Sequence, residues 1–429
     1  MKDKDPRQFG WVIVGVSFIT LSLTYGVWYS FSVFFVALLK EFGWSRSIAA
    51  GAFSLCMIIH NLIGPFVGGM VDRLGARRVI LIGSSFLGTG LILCSFTQTW
   101  WQFYLFFGVI TAIGIGTTGW VPNVTLIQQW FKGNKGLAIG IISSGIGIGI
   151  VVCIPAIQYL VLQLGWRMTY RIMAIFIPLS VISMAIAFLK KSPPIAPLQQ
   201  SQIEMSNAIT DDPLLIHEES NSQPWTVRSA VTTKQFWLLS ISFFLSNFIA
   251  QSILAHQVAF FVDHGVEKFL ASSIVGMIGL VSVGAKILWG ALSDKIGREI
   301  PYTMGIACAI FGVVLLIFFS VFPSPGVAYF FALFFGMGYA VTAALPPLII
   351  ADFFEGRAYG RIFGSIMLIN GIGGALGVWF AGFLFDQIGS YLPFFVILIA
   401  FCTVSCMSIW WVAPRKMRRV PEKTKQGFD

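Results

Sequence analysis

The 429-residue chain is 56% hydrophobic and only 11% charged, with a mean hydropathy of +0.82. Ordinary soluble domains carry about 25% charged residues, so these values exclude a water-soluble globule and make lipid the solvent. The net charge of +10 raises nucleic acid as a partner; where the charges fall argues against it.

Met1 to Gln8 is a short charged lead-in, and the apolar run that begins at Phe9 is too long for a cleaved leader. A hydrocarbon core of ~30 Å needs about 20 apolar residues of helix. Twelve such windows recur, at 10–38, 48–71, 78–97, 101–128, 136–161, 168–189, 236–262, 270–292, 301–321, 326–350, 358–385 and 391–412. Between the sixth and seventh lies the one long connection, 190–234. It holds Pro193, Pro194 and Pro197 with the acids Glu204, Asp211, Asp212, Glu218 and Glu219, too polar to order itself, and reads as a flexible cytoplasmic linker. Trp225 to Gln235 is expected to form a short helix on the membrane surface. The chain thus divides into a six-helix bundle over 1–189, the linker over 190–234, a second six-helix bundle over 235–412 and a basic tail over 413–429: an all-α membrane protein of twelve transmembrane helices.

With both termini in the cytoplasm, 22 of the 28 Lys and Arg residues fall on cytoplasmic segments, five outside and one, Lys286, within a span. This positive-inside bias sets the orientation and leaves no basic nucleic-acid face. Arg415, Lys416, Arg418 and Arg419 follow the last span and suit anionic lipid headgroups of a cell membrane. The cysteines at 56, 94, 153, 308, 402 and 406 all lie in spans without Cys-x-x-Cys and read as small apolar packers. Nothing implies a metal or other cofactor.

The two halves repeat. At an offset of 224, Gly114 matches Gly338, Pro122 Pro346, Gly136 Gly360, Gly140 Gly364, Gly147 Gly371 and Gly149 Gly373. Six spans between equivalents give both halves the same orientation, the parallel-repeat arrangement in which two bundles rock about a midplane site. Small residues four apart (Gly136, Gly140 and Ser144; Gly145 and Gly149; Gly360 and Gly364; Gly373 and Gly377) let helix backbones approach closely and are expected to carry the rocking contacts between halves. Gly114-Ile-Gly116-Thr-Thr-Gly119 matches the dinucleotide fingerprint in letters, but without a βαβ unit it reads as helix packing.

Two turns, offset by 222, share one pattern: Gly68-x-x-x-Asp72-Arg73-x-Gly75-x-Arg77-Arg78 and Gly290-x-x-x-Asp294-Lys295-x-Gly297-Arg298. In each an aspartate ends a helix, a glycine permits the tight backbone and opposite charges crowd together. Asp72, Arg73 and Arg77, with Asp294, Lys295 and Arg298, are expected to act as a latch that forms in one conformation and breaks in another.

Lys286 sits eight residues before Asp294 inside an apolar helix. A cation there costs roughly 2.5–3.5 kcal/mol on insertion scales, and no carboxylate lies at its depth, since Asp263 and Asp386 stand at span ends. Either an anionic ligand supplies its partner, or its stem leans about 12 Å toward the cytoplasmic interface. Helical spacing nominates neighbours: Ser282 one turn away; Tyr25 and Tyr29 on a polar stripe with Ser22 and Ser32 in span one; Trp120 and Asn123 in span four; Tyr339 with Thr342 in span ten; Asn370 in span eleven. His256 and Gln257 lie in the outer part of span seven, and His256, read as the one histidine inside a span, is a candidate proton carrier.

Both charged turns resemble the signature loop of the major facilitator superfamily. Within it, Gly10-Trp11 and Trp130-Phe131-Lys132-Gly133-Asn134-Lys135-Gly136-Leu137-Ala138-Ile139-Gly140 resemble the two signatures of the monocarboxylate transporter family. His256 with Asp263 and Gly265, and Gly284-Ala285-Lys286-x-x-x-Gly290, resemble its microbial branch, which is related to oxalate/formate antiporters. The resemblance implies alternating-access transport of a small monocarboxylate such as lactate or pyruvate, with a proton or by exchange. It places Lys286 where the family usually has an arginine, so the charge is kept and the bidentate fork lost. Tyr29 and Ser282 stand where animal members have a lysine and an aspartate, a departure that bears on proton coupling. Oxalate/formate-type exchange and export of hydrophobic compounds are the alternatives. An enzyme is not indicated: there is no Ser-His-Asp order, metal spacing or P-loop.

Overall fold

The computed structural model describes residues 6–130, 135–189, 225–354 and 359–412, and no strand occurs among them. Residues 190–224 of the linker expected over 190–234, the basic tail and the centre of the Trp130–Gly140 signature lie outside the described residues, as do the side chains of Asp72 and Asp294. The N-terminal half runs through α1 (Pro6–Phe42), α2 (Arg46–Leu74), α3 (Ala76–Cys94), a composite fourth pass and α7 (Lys135–Phe188). That fourth pass joins α4 (Trp100–Phe103), a π-helical stretch (Tyr104–Thr111), α5 (Ala112–Thr118) and α6 (Trp120–Trp130). After the short α8 (Val227–Val231), the C-terminal half comprises α9 (Lys234–Asp263), α10 (Lys268–Ile296), α11 (Glu299–Val321), α12 (Pro325–Ala344), α13 (Pro346–Phe353), α14 (Tyr359–Ile388) and α15 (Leu392–Val412).

Eleven segments among these are long and apolar enough to cross a membrane. One of them, 138–188, turns back at Gly165 (φ 80°, ψ 161°), so it makes two passes and the twelve expected crossings are all present. An even number of passes puts the 74–76 and 297–299 links at one end of the molecule, with Pro6, Phe354, Tyr359 and Val412; we call this the terminal end. The links at 43–45, 165, 264–267 and 389–391 form the distal end.

The repeat is visible in the backbone. The six glycines with positive φ fall into three pairs, Gly43 and Gly265, Gly75 and Gly297, Gly165 and Gly389, each pair offset by 222 or 224. Each closes a helix-to-helix link, where a Cβ would strain the left-handed backbone. Gly75 and Gly297 (φ 82° and 91°) are the glycines of the two charged turns.

Two of the small-residue seams, Gly145 with Gly149 and Gly373 with Gly377, do a different job from the one expected, and Gly140 and Gly364 have no neighbour within 4 Å of a Cβ position. A Cβ on Gly145 or Gly149 would meet the Phe18 or Ser22 carbonyl at 2.6 and 2.2 Å, and one on Gly373 or Gly377 the Phe244 or Phe248 carbonyl at 2.3 and 2.4 Å. These seams therefore lock α1 to α7 and α9 to α14 inside each half, where the repeat demands the same close backbone crossing. Contact between the halves uses the alternate glycines. Gly147 abuts Val283 and Gly279 of α10, Gly371 and Gly374 abut Asn61 and Met57 of α2, and Gly382 abuts the Arg46 backbone. Gly114 presses on the Leu87 backbone at 2.5 Å, the helix packing expected of that glycine run.

The interface between halves is closed from the middle to the distal end and parts toward the terminal end. Met57, Asn61, Gly64 and Gly68 form one helical stripe of α2; the first two touch α14, whereas Gly64 and Gly68 have nothing within 4 Å of a Cβ position. The same change occurs along α7 from Gly147 to Gly140, along α10 from Gly279 to Gly290 and along α14 from Gly371 to Gly364. All four of these helices open in the same direction.

Candidate functional site

The cleft narrows where this opening ends, and Lys286 stands there on the α10 stripe that includes Gly279, Val283 and Gly290. Side chains on a helix lean toward its N-terminus, which for α10 is the distal end. The Lys286 Nζ accordingly lies 5.8 Å from the Tyr339 ring centroid, turned into the molecule and away from the terminal interface. Among the described residues Arg46–Asp263, Arg167–Glu41 and Arg298–Asp352 form ion pairs, and Lys286 is in none of them. A cation over an aromatic face gains about 0.5–2 kcal/mol, less than the insertion cost of the charge, and an aromatic ring leaves it formally uncompensated.

Tyr339 is bonded through its hydroxyl to Tyr29 Oη at 2.6 Å, which joins α12 of one half to α1 of the other. Gln251 lies beside Tyr29, with its Oε1 buried and unpartnered. Lys286, Tyr339, Tyr29 and Gln251 thus form one polar string across the inter-half seam, drawn from α10, α12, α1 and α9.

The other nominated residues divide. Ser282 is fully buried, and its hydroxyl donates to the Gly279 carbonyl of its own helix. Ser22 and Ser32 likewise bond to main-chain carbonyls, so the polar stripe of α1 reduces to Tyr25 and Tyr29. Asn370 donates to the Phe243 carbonyl and accepts, through its own carbonyl, from Asn247, pinning α14 to α9. Thr342 bonds to the Tyr339 carbonyl. Asn123 donates to the Thr118 and Gly119 carbonyls, which the break in the fourth pass leaves free, while its Oδ1 is buried without a partner. The tenth pass breaks at Leu345, between α12 and α13. Interrupted helices at corresponding positions of two repeats mark the neighbourhood of a substrate site in secondary transporters, and Tyr25, Trp120 and Tyr339 flank these two breaks.

One reading of the sequence is corrected. His60 lies within the apolar segment Arg46–Val71, so His256 is not alone as an in-span histidine. The His60 ring packs edge-on to Trp28 at 5.0 Å, and its buried Nδ1 has no hydrogen-bond partner. Its position corresponds to Ser282 at the 222 offset, one turn distal of Lys286 and on the opposite half; the offset between the charged turns, carried back along α2, was the signal that locates it.

His256 is placed elsewhere. It is buried near the distal end, with Nδ1 2.8 Å from Tyr391 Oη and Nε2 2.9 Å from the Val378 carbonyl. Arg46 donates to the same Tyr391 Oη at 2.7 Å and to Asp263 at 2.5 Å. The Asp386 carboxylate receives the Arg46 and Ser47 amides, both at 2.8 Å. Arg46 also stacks on Phe385 at 3.7 Å. Burial raises the Tyr391 phenol above its ordinary pKa, with Arg46 pulling the other way, so the phenol keeps its proton. Beside it, Gln257 is buried with neither amide atom hydrogen-bonded, at a cavity of about 10 Å³ shared with His256 and Tyr391. His256 and Gln257 therefore belong to a distal cluster rather than to the Lys286 string.

Of the latch residues, Arg298 is buried and held within its own half by Asp352 and Ser293. Arg77 reaches the Ile186 carbonyl at 3.3 Å, also within its half, while Arg73 and Lys295 are exposed.

Three comparisons bear on this geometry. The family model described as Major Facilitator Superfamily matches residues 17–377. The chain is 24% identical over 397 residues to Monocarboxylate transporter 13 of Rattus norvegicus, covering 92% of this chain and 86% of that protein. It is also 24% identical over 396 residues to the Oxalate:formate antiporter of Oxalobacter formigenes, covering 90% of each. Among solved structures, a bacterial homologue of the human lysosomal transporter Spinster, in an inward-facing, occupied conformation, superposes with a TM-score of 0.70 at 15% identity, over 97% of this chain and 95% of that one.

Proposed function

The chain belongs to the major facilitator superfamily and is a multi-pass membrane transporter, and from that premise we propose that it carries a small monocarboxylate across a cell membrane, with a proton, by alternating access. The observation that carries the cargo assignment is Lys286: a cation at the apex of the inter-half cleft, paired with no carboxylate among the described residues and facing Tyr339. A carboxylate docked on Lys286 would also accept from the Tyr339 or Tyr29 hydroxyl, so that binding draws α1, α10 and α12 together. Tyr25, Trp120, Asn123 and His60, all on the N-terminal half, would meet the rest of the substrate.

The terminal end, which is open, faces the cytoplasm on the positive-inside argument, and the cleft is then inward-open, as in the Spinster homologue named above. The turns at Asp72–Arg77 and Asp294–Arg298 lie at the rim of that opening and serve as the latch that engages when the cleft closes there. Oxalate/formate-type exchange remains the second reading, supported by the Oxalobacter relative; an apolar α14 whose one cation, Arg361, lies at its terminal start weighs against a divalent anion needing two cations at mid-depth.

Uptake of labelled lactate, pyruvate, acetate, oxalate and formate into proteoliposomes, with and without a pH gradient, tests the assignment. A monocarboxylate is expected to accumulate against its gradient when the outside is acidic. Normal accumulation by Lys286→Ala would overturn the site, and oxalate uptake only against internal formate would replace symport with exchange.

A further inference from the structure

At the distal mouth Arg46 of the N-terminal half bonds to Asp263, Asp386 and Tyr391 of the other half, and hydrogen-bond direction links it to a buried histidine there. The Val378 carbonyl only accepts, so His256 Nε2 carries a hydrogen. The Arg46 guanidinium only donates, so Tyr391 Oη accepts from it. With Arg46 donating to its oxygen, the phenol hydrogen has His256 Nδ1, 2.8 Å away, as its acceptor, an arrangement that pairs every donor when Nδ1 is unprotonated. A proton on Nδ1 would give that oxygen two donors, one of them on a cation beside the guanidinium, and leave the phenol's own hydrogen without an acceptor.

We propose that His256 is a proton-binding site discharged by the docking of Arg46. When the halves part at the distal end, Arg46 leaves Tyr391, Asp263 and Asp386, and water reaches the rim. His256 Nδ1 then takes a proton from that water, and its positive charge replaces that of the departed guanidinium beside the two carboxylates. On closure Arg46 returns, the phenol turns its hydrogen back to Nδ1, and the proton leaves His256 for water. The cavity shared with Gln257 has space for about one water molecule, a first step off the ring. Occupancy by the proton and docking of Arg46 compete, and linkage makes the competition reciprocal: acid outside holds the distal mouth open, and closure expels the proton.

The charged and titratable groups around the site are few. α2 supplies Arg46, α9 supplies Asp263 and the following His264, whose ring bonds to the Phe260 carbonyl, and α14 supplies Asp386. α1 contributes only the Phe35 ring, 5.0 Å from His256, while Glu267 and Lys268 open α10 on the same rim. The nearest cation of α7, Arg167, is taken by Glu41. Asp263 and Asp386 could titrate too, and the experiment separates them from the imidazole.

The inference rests on alternating access and not on the cargo. Spin labels at the exposed rim positions Lys40 and Gln387, in protein with its own cysteines replaced and no substrate present, would report the distance across the distal mouth between pH 8 and pH 5. In wild type the ratio of closed to open distances is expected to fall at least tenfold toward pH 5. Tyr391→Phe, which keeps the Arg46–Asp263 pair but removes the relay, and His256→Gln, which keeps both hydrogen bonds without a titrating group, should each flatten that response. A wild-type distance distribution indifferent to pH would overturn the proposal, as would a full pH response in His256→Gln, which would hand the role to the carboxylates. Failure of the monocarboxylate reading would leave these outcomes untouched.

Discussion

Glu41 and Asp263 occupy the same place in the repeat, the distal ends of α1 and α9 at the 222 offset, yet they are satisfied in opposite ways. Glu41 is bound at home, by the Trp166 indole and the Arg167 guanidinium of α7. At the position equivalent to Arg167 the C-terminal half has Tyr391, which has no charge to offer, and Asp263 takes Arg46 from across the seam instead. Glu41 is therefore neutralised within its own half, whereas Asp263 is neutralised only when the two halves meet. The same asymmetry recurs deeper: Lys286 stands at the position equivalent to Gly64, so the C-terminal half also carries the unpaired cation. A duplicated scaffold becomes a machine where its copies differ in charge, because a group satisfied within one rigid bundle is indifferent to the state of the other.

The largest effect should come from the deepest difference. Lys286→Ala is expected to lower carboxylate uptake at least a hundredfold, the loss of a partner for a buried anion, while Lys286→Arg retains binding; equal transport by Lys286→Ala and wild type would end the comparison at this level. Next comes the rim. Arg46→Gln should shift the distal mouth toward open distances by about tenfold, since 1.4 kcal/mol in an equilibrium is a factor of ten, and leave the melting temperature nearly unchanged. Arg167→Gln should do the reverse, lowering the melting temperature by a few degrees without moving the mouth, so matching behaviour of the two variants would show that the acids are equivalent after all.

The glycine seams offer a smaller and cleaner contrast. In Gly149→Ala the new methyl meets the Ser22 carbonyl inside the bundle and should reduce thermal stability; in Gly147→Ala it meets the Val283 side chain of the other half and should favour conformers in which α7 and α10 separate. Smallest is Tyr339→Phe, which loses the hydroxyl bond to Tyr29 across the seam. Such bonds are worth about 0.6 kcal/mol within membranes, so a roughly threefold rise in the half-saturating substrate concentration is expected, read from uptake at graded substrate levels.

Much of this was legible in the residues alone. Twelve apolar windows, the paired charged turns and the repeat of glycines and prolines require a two-bundle membrane fold, because span length and backbone satisfaction in lipid admit few alternatives. Lys286 was legible too, since a charge in oil is conspicuous wherever the chain folds. Helical spacing then nominated too many partners, for a face of one helix says nothing about which neighbour it meets. Ser282, Ser22 and Asn370 bond to carbonyls instead, and His60 lies in a span whose spacing does not single it out.

What the sequence by itself determined is the scaffold and its lone cation, both set by local quantities: hydropathy, glycine φ and the cost of a charge at depth. Which glycines lock a bundle and which face the other half, which rim acid is answered from across the seam, and that Arg46 and His256 share one phenol were decided only by tertiary structure. Those are facts about pairs of residues up to 345 positions apart, and a hydrogen bond acquires its direction, and hence its consequence for a proton, only when both of its ends are in place.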